Sequence, residues 1–332
     1  MSTKKRHHHF ISDFLSKKFS PNSSQVYVYD HTTKQIKFIS SRDLFVRKHL
    51  YTIETKVGRD SNLVEDIYEE RFETPAANTI NSLLRKLEKG KYEMSSLVSL
   101  EGFTNILRFC IASDLRTPNR LMQLRLIVMR GLNTLAFAMQ HANFDEPDET
   151  LRVKANPDYL LLKSIEKIDE IVSSCFEMRL HIILNRDTDK RFVLPDQPVV
   201  LITNEPFEYK SSDLQILFPI SSRVLLIFDR KTNSNAIIET SGDEVDKLNL
   251  NICSRFYKYI GCESDSYLKY FTTKFDLITQ KIPTEEDFER EVEAIRNDIK
   301  AGGKIEPGSR SRIVLSKDGV KYLNLGKKRD DA

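Results

Sequence analysis

Three consecutive histidines, His7, His8 and His9, follow a short basic stretch at residues 4–6 and precede an apolar run. Imidazole changes its charge near neutral pH and can bind a metal ion, so the cluster suits acid–base catalysis or metal binding. Neighbouring residues of an extended segment point to opposite sides. We therefore expect His7 and His9 on one side and His8 on the other. An alternative is that the basic stretch and the histidines together grip a phosphate.

The carboxylates that would complete such a site lie far along the chain. Glu65, Glu69 and Glu73 recur every four residues, which predicts one stripe along a helix, and Asp196 follows an apolar strand-like run. Metal sites need three or four protein ligands. The predicted metal set is His8, Glu65, Glu73 and Asp196, with a divalent ion as the expected cofactor. The alternative is that the glutamates form a solvent-exposed helix face and that the histidines form the polar start of a strand.

Arg116 precedes Thr117-Pro118, a pair typical of a helix start. Helix N-termini attract anions, and a guanidinium there would help to hold a phosphate or a carboxylate. The alternative, which we favour, is an ion pair between Arg116 and a buried carboxylate such as Glu73 that joins two helices.

A second pattern follows Pro195. Asp196, Glu208 and Lys210 match the spacing of PD-(D/E)xK nucleases, in which acidic residues hold a divalent ion and the lysine orients the attacking water. The pattern is short, and Pro206 interrupts the strand that it requires. These three residues form an alternative, nuclease-like set.

Composition and missing motifs narrow the function classes. The chain has 332 residues, 40% hydrophobic and 30% charged, with a net charge of +3, which is typical of a globular protein and not of a generally basic nucleic-acid binder. The sequence holds no apolar run long enough for a membrane span, and its four cysteines are scattered. We therefore expect a cytoplasmic protein without a membrane partner. Phosphate-loop, nucleophile-elbow, zinc-finger and dinucleotide motifs are all missing from the sequence.

The elements that must position these residues follow from the hydrophobic pattern. The runs 25–30 and 35–40 predict a β-hairpin, and 62–87 predicts a helix that restarts at Thr74-Pro75. Further helices are predicted over 95–115, over 116–140 and from residue 157 onwards.

After residue 179 the pattern changes to strands. The runs 180–185 and 191–194 predict a hairpin, 198–203 and 223–228 predict central strands, and 243–261 predicts a helix. A capping box at Thr284 starts a last helix, whose apolar face carries Phe288, Val292, Ile295 and Ile299.

These elements predict an α+β fold with an N-terminal β-hairpin, a helical middle, a central mixed sheet, a C-terminal helix and a charged tail. We expect one domain over 1–280 with a helical insertion at about 60–177, followed by a helix and a mobile tail over 281–332.

In the order of these segments the chain resembles an uncharacterised bacterial family, the domain-of-unknown-function family 4238. The resemblance rests on "KRHHHFISDFL", "VYVYD", "LVEDIYEERFETPAANTI", "ASDLRTPNR", "RFVLPDQPVV" and "LFPISSRVLLI". The chain departs from the family pattern at Ser12, where proline is usual, at Ser113, where glutamine is common, and in "LPDQP". The resemblance implies a shared fold and does not supply a reaction.

The best functional expectation is a hydrolase, metal-dependent in one version, that acts on nucleic acid or another phosphoester, with a role in bacterial defence. Its expected catalytic residues are His7, His8, Glu73, Arg116 and Asp196. The alternative is a non-catalytic interaction or structural module. It would use the basic, histidine-rich N-terminus, and the 284–300 helix would bind a protein partner or a second copy.

Overall fold

The structure is a computed structural model that describes residues 7–48, 53–55, 58–60, 63–124, 157–204, 208–280, 284, 286, 290, 293, 311–316 and 319–324. The chain divides into two compact units. The first comprises residues 1–120 and 161–279, and the second comprises residues 121–160 and 280–332. The domain boundaries expected from the sequence stay a prediction.

A four-stranded antiparallel sheet joins the two ends of the first unit. Its strands, in spatial order, are β3 (Gln35–Ser40), β2 (Gln25–Asp30), β13 (Tyr259–Cys262) and β8 (Leu194–Pro195). Strands β2 and β3 form the predicted hairpin, with Gln25 opposite Ser40. The sequence predicts a helix over 243–261, whereas residues 259–262 form β13. That helix, α7 (Asp243–Ile252), instead stops after ten residues and a 3-10 turn follows it.

The second sheet has five strands and is mixed. Its spatial order is β12 (Ala236–Thr240), β7 (Arg179–Asn185), β11 (Val224–Asp229), β10 (Gln215–Ser221) and β9 (Val200–Ile202). Strand β12 is parallel to β7, and the other pairs are antiparallel. The predicted hairpin of 180–185 with 191–194 is wrong, because β7 pairs with β11 and β12 while β8 joins the other sheet. Near-continuous apolar runs fit any central strand, so they do not specify a neighbour.

Two short strand pairs and a series of helices complete the first unit. Strand β1 (His7–His9) pairs with β4 (Val46–Lys48), and β5 (Ile53–Thr55) pairs with β6 (Gly58–Asp60). The helices are α1 (Asp13–Ser16), α2 (Leu63–Tyr68), α3 (Thr74–Glu88), α4 (Met94–Leu97), α5 (Leu100–Leu115), α6 (Pro157–Ser174), which begins in the second unit, α7, and α8 (Asp265–Lys274). A further helix starts at residue 118 and is described to residue 124.

Helix α2 passes into α3 through a π turn, Glu69–Glu73. The restart expected at Thr74-Pro75 takes this form: Pro75 has no N–H to donate to the carbonyl of Arg71, and the widened turn precedes it. The π turn also breaks the predicted glutamate stripe, because the wider spacing leaves Glu69 exposed while Glu65 and Glu73 are half-buried.

Helix α5 packs on the five-stranded sheet. The ring of Phe109 lies 5.7 Å from that of Phe218 on β10, and the ring of Phe103 lies 5.7 Å from that of Phe228 on β11. The ring of Phe14 on α1 lies 5.1 Å from Phe109. Helix α5 is therefore the central helix of the first unit, in contact with the sheet and with the N-terminal segment.

The described part of the second unit includes a hairpin of β14 (Ser311–Ser316) and β15 (Gly319–Asn324), in the tail where the sequence predicted no regular element. Phe288, Val292, Ile295 and Ile299 of the predicted last helix lie outside the described residues. Where the structure describes the chain, no helix is long and apolar enough to cross a membrane.

Candidate functional site

Arg116 is the C-cap of α5 and is almost fully buried. Its Nη1 lies 2.5 Å from Oε1 of Glu73, and its Nε donates a hydrogen bond of 3.1 Å to the carbonyl oxygen of Phe10. Its Cζ lies 5.2 Å from the ring centroid of Tyr68. The favoured interpretation of Arg116, an ion pair with Glu73 that joins two helices, is thus confirmed.

Tyr68 connects this pair to Glu65. Burial raises the pKa of the Tyr68 hydroxyl; Arg116 opposes this shift, whereas Glu65 and Glu73 reinforce it. The hydroxyl therefore stays protonated at physiological pH. Two half-buried carboxylates, one buried guanidinium and one buried phenol thus lie in one group of side chains.

A second ion pair lies within one turn of Arg116. Asp114 is fully buried, and its Oδ2 lies 3.2 Å from Nε of Arg120 and accepts a hydrogen bond of 2.6 Å from the hydroxyl of Tyr209. The helix is interrupted at Arg116 and Thr117 and starts again at Pro118. Arg116 and Arg120 therefore pair with different carboxylates. This pair was not predicted from the sequence, although an aspartate in an apolar helix close to the helix end indicates a buried carboxylate that needs a partner.

The histidine strand lies beside the same group. His8 is fully buried, whereas His9 is half-buried with its Nε2 2.9 Å from the carbonyl oxygen of Arg42. His8 and His9 thus differ in burial, as the alternation predicts. The side chain of His7 lies outside the described residues. Phe10, two residues after His8, supplies the carbonyl that Arg116 binds.

Asp196 is fully buried and holds a different part of the fold. Its Oδ1 accepts a hydrogen bond of 3.0 Å from the N–H of Tyr257, and its Oδ2 accepts from the N–H groups of Lys258 and Tyr259 at 2.7 and 2.8 Å. Burial raises the pKa of Asp196 to about 7, although these three N–H groups act to lower it. Both carboxylate oxygens are engaged by the backbone, which is the geometry of a structural clamp.

Two contacts link the Asp196 segment to the histidine and Arg116 segments. The ring of Tyr257 lies 6.4 Å from the ring of Phe10, and the amide of Asn119 donates a hydrogen bond of 3.1 Å to Oε1 of Gln197. The histidine strand, the segment around Arg116 and the segment around Asp196 therefore meet in the interior of the first unit.

The predicted metal set is not assembled as ligands. Among the residues that the structure describes, no group of three or more histidine, cysteine, aspartate or glutamate side chains is placed to hold a metal ion. In the predicted set, Glu73 binds Arg116, and Asp196 binds three backbone N–H groups.

The nuclease-like set is not brought together by any contact of the described side chains. Lys210 is exposed at the end of a 3-10 turn, and the side chain of Glu208 lies outside the described residues. Tyr209, between them, reaches Asp114 instead. Two surface cavities of about 330 and 590 Å³ are lined by other residues than those predicted for the site.

The comparisons agree with the resemblance seen in the sequence. A family model described as "Protein of unknown function (DUF4238)" matches residues 7–266. No curated protein and no solved structure matches the chain. The match covers most of the chain and includes each segment that meets around Arg116. The chain belongs to the DUF4238 family.

Proposed function

We propose that this chain is a hydrolase that acts on a phosphoester, with nucleic acid as the first substrate to test, and that its reaction centre lies around Arg116. The burial of opposite charges carries the proposal: Arg116 pairs with Glu73 of a separate segment, and Arg120 pairs with Asp114, beside the histidine strand. Removing a charge from water costs several kcal/mol per ion, and apolar packing of similar volume is often as stable. Clustered buried ionisable groups are therefore candidates for function.

The proposed roles follow from the contacts. Arg116 holds an oxygen of the substrate phosphate, because a guanidinium pairs well with oxyanions and Glu73 and the Phe10 carbonyl fix its direction. His8 transfers a proton, since imidazole titrates near neutral pH. Asp196 acts as a positioning residue through residues 257–259. The described carboxylates and imidazoles do not form a metal-ligand set, and the protein's own side chains fill these roles.

The experiment measures the hydrolysis of three substrates, a chromogenic phosphodiester, single-stranded DNA and RNA, by the purified chain and by three variants. We expect Glu73→Gln and His8→Ala to lower the rate by roughly 10²–10⁴-fold, as loss of a group engaged in acid–base catalysis or in positioning the reacting groups does. Glu70→Gln is the matched control, because Glu70 is exposed on the same π turn. Its rate should stay within about twofold of the parent chain, since surface changes perturb little.

The melting temperature of each variant separates loss of chemistry from loss of fold. A parent chain without activity on any of these substrates would contradict the proposal. A fully active and folded Glu73→Gln variant would contradict the role given to Glu73.

One observation favours the second candidate, a non-catalytic interaction module. Asp196 binds three backbone N–H groups, and Arg116 binds Glu73 and the Phe10 carbonyl, as in a protein whose buried charges fix its shape. In that case the N-terminal segment and the 284–300 helix would bind the partner, or a second copy, as the sequence suggests. An inactive parent chain that forms a stable dimer in light scattering would favour this module.

The proposal also places the protein in the cytoplasm, in bacterial defence. Four free, buried cysteines support a reducing compartment, because disulfides are rare there. Degradation of foreign nucleic acid is the defence role that fits a phosphoester hydrolase.

A further inference from the structure

A surface cavity of about 330 Å³ lies beside Lys17, at the end of α1. Lys17, Ser23, Ser24, Ser40, Ser41 and Arg42 line it. The lining thus carries two cations, four hydroxyls and no carboxylate. None of these residues belongs to the group around Arg116.

The carboxylate of Asp13, which binds two of the lining residues, is already engaged. Asp13 Oδ2 lies 2.6 Å from Nζ of Lys17, and its Oδ1 accepts a hydrogen bond of 2.7 Å from the hydroxyl of Ser41. Burial acts to raise the pKa of Asp13, but the hydrogen bonds from Lys17 and Ser41 outweigh it, and the pKa lies below its ordinary value. The charge of Asp13 is therefore balanced by Lys17.

Within the described part of the chain, Arg42 is left as a cation without a carboxylate partner. Its backbone N–H donates to the Ser40 hydroxyl oxygen and its carbonyl contacts His9, but its guanidinium pairs with none of the residues that the structure describes. The hydroxyl hydrogens of Ser23 and Ser40 are likewise unused by described residues. The groups in the lining that still have capacity for a ligand are mainly hydrogen-bond donors.

From this lining we propose that the cavity binds a phosphate group, free or carried by a small molecule. A guanidinium and hydroxyl donors around a concave surface match the charge and the acceptor oxygens of an oxyanion. The site does not depend on the proposed hydrolase activity, because it shares no residue with the proposed reaction centre.

The test is calorimetric titration of the full chain with inorganic phosphate and with phenyl phosphate, at constant ionic strength set with chloride. We expect binding of at least one of them, and Arg42→Ala should weaken it by roughly tenfold or more, the loss typical of a hydrogen bond to a charged group. Ser40→Ala should weaken it less. Lys37→Ala is the control, because Lys37 is exposed on the same strand, β3, and does not line the cavity.

Binding of phosphate alone indicates a site for the free ion, and binding of both ligands indicates a site open to phosphate esters; either outcome supports the proposal when Arg42→Ala weakens it. The absence of binding by both at millimolar concentration would overturn the proposal. An equal loss in Lys37→Ala and Arg42→Ala would also overturn it, because the effect would then reflect net charge and not this cavity.

Discussion

Arg116 carries a full positive charge with 1% of its surface exposed, so protein groups must replace its hydration. A carboxylate, a carbonyl oxygen and an aromatic face do so. Lysine could not reproduce this arrangement, since it lacks the planar fork that binds two acceptors in fixed directions. Arginine is thus required here by geometry as well as by charge.

Asp196 gives the most direct prediction at this scale. An asparagine can accept hydrogen bonds through only one of its two terminal atoms, so Asp196→Asn would leave at least one backbone N–H of residues 257–259 facing an amide N–H. We expect the free energy of unfolding to fall by about 2–3 kcal/mol, the effect of leaving a buried donor unpaired. Urea denaturation followed by circular dichroism measures it.

Asp189→Asn is the control for this measurement, because Asp189 is exposed. Its effect should stay within about 0.5 kcal/mol, as for most surface substitutions. A fully stable Asp196→Asn variant would mean that the three hydrogen bonds do not hold the segment in solution.

At the scale of elements, local patterns predicted local structure well. The hairpin of β2 and β3 followed from two β-branched and aromatic runs with a polar turn, and both strands have the predicted bounds. The pairing of β13 with β2 could not be predicted in this way. Residues 259–262 follow a helical pattern without a strong break, and the partner strand lies more than two hundred residues earlier.

The candidate site, too, was only partly predictable from the sequence. The Arg116–Glu73 pair was predictable from residue type, because a guanidinium next to a helix end needs a carboxylate once it is buried. The direction of the Asp196 side chain was not predictable, because this side chain binds the backbone at the start of β13, where the sequence predicts a helix. The π turn was also invisible, since it adds no distinctive residue.

The contact of α1 with α5 gives the second prediction. The hydroxyls of Ser12, Ser16 and Ser113 are buried and make no hydrogen bond within the described structure. Burial of such a group is unfavourable, so Ser113→Ala should raise the free energy of unfolding by about 1 kcal/mol. Urea denaturation again measures the change.

Ser222→Ala is the matched control, because the Ser222 hydroxyl donates to Oε2 of Glu263. Its loss should lower the free energy of unfolding by about 1–2 kcal/mol. A decrease for Ser113→Ala as well would show that its hydroxyl has a hydrogen-bond partner in solution.

At the scale of the whole molecule, Asp196 also predicts how stability depends on pH. Burial raises its pKa from 3.8 to about 7 in the folded chain. Between these values the folded chain keeps a proton that the unfolded chain has lost, so stability falls as the pH rises through this window. Carboxylates whose pKa is lowered in the folded chain, such as those of Asp13 and Asp246, change the stability only at pH values below this window.

We therefore expect Asp196 to make the chain about 2 kcal/mol less stable at about pH 7.5 than at about pH 5.5. Urea denaturation at the two pH values measures this difference, and Asp196→Asn should lack the contribution. If the free energy of unfolding changed equally between the two pH values in the parent chain and in the variant, Asp196 would not titrate in this range.

The pairing of β2 with β13 has a consequence for the newborn chain. Tyr27 lies opposite Cys262, so the N-terminal hairpin leaves the ribosome long before its neighbour in the sheet has been synthesised. At typical translation speeds the delay is roughly ten to fifty seconds. Throughout this interval the inner edge of β2 has no strand beside it, and an unpaired edge invites association with other chains. A chaperone that covers residues 25–30 during synthesis would prevent this association until β13 has been made.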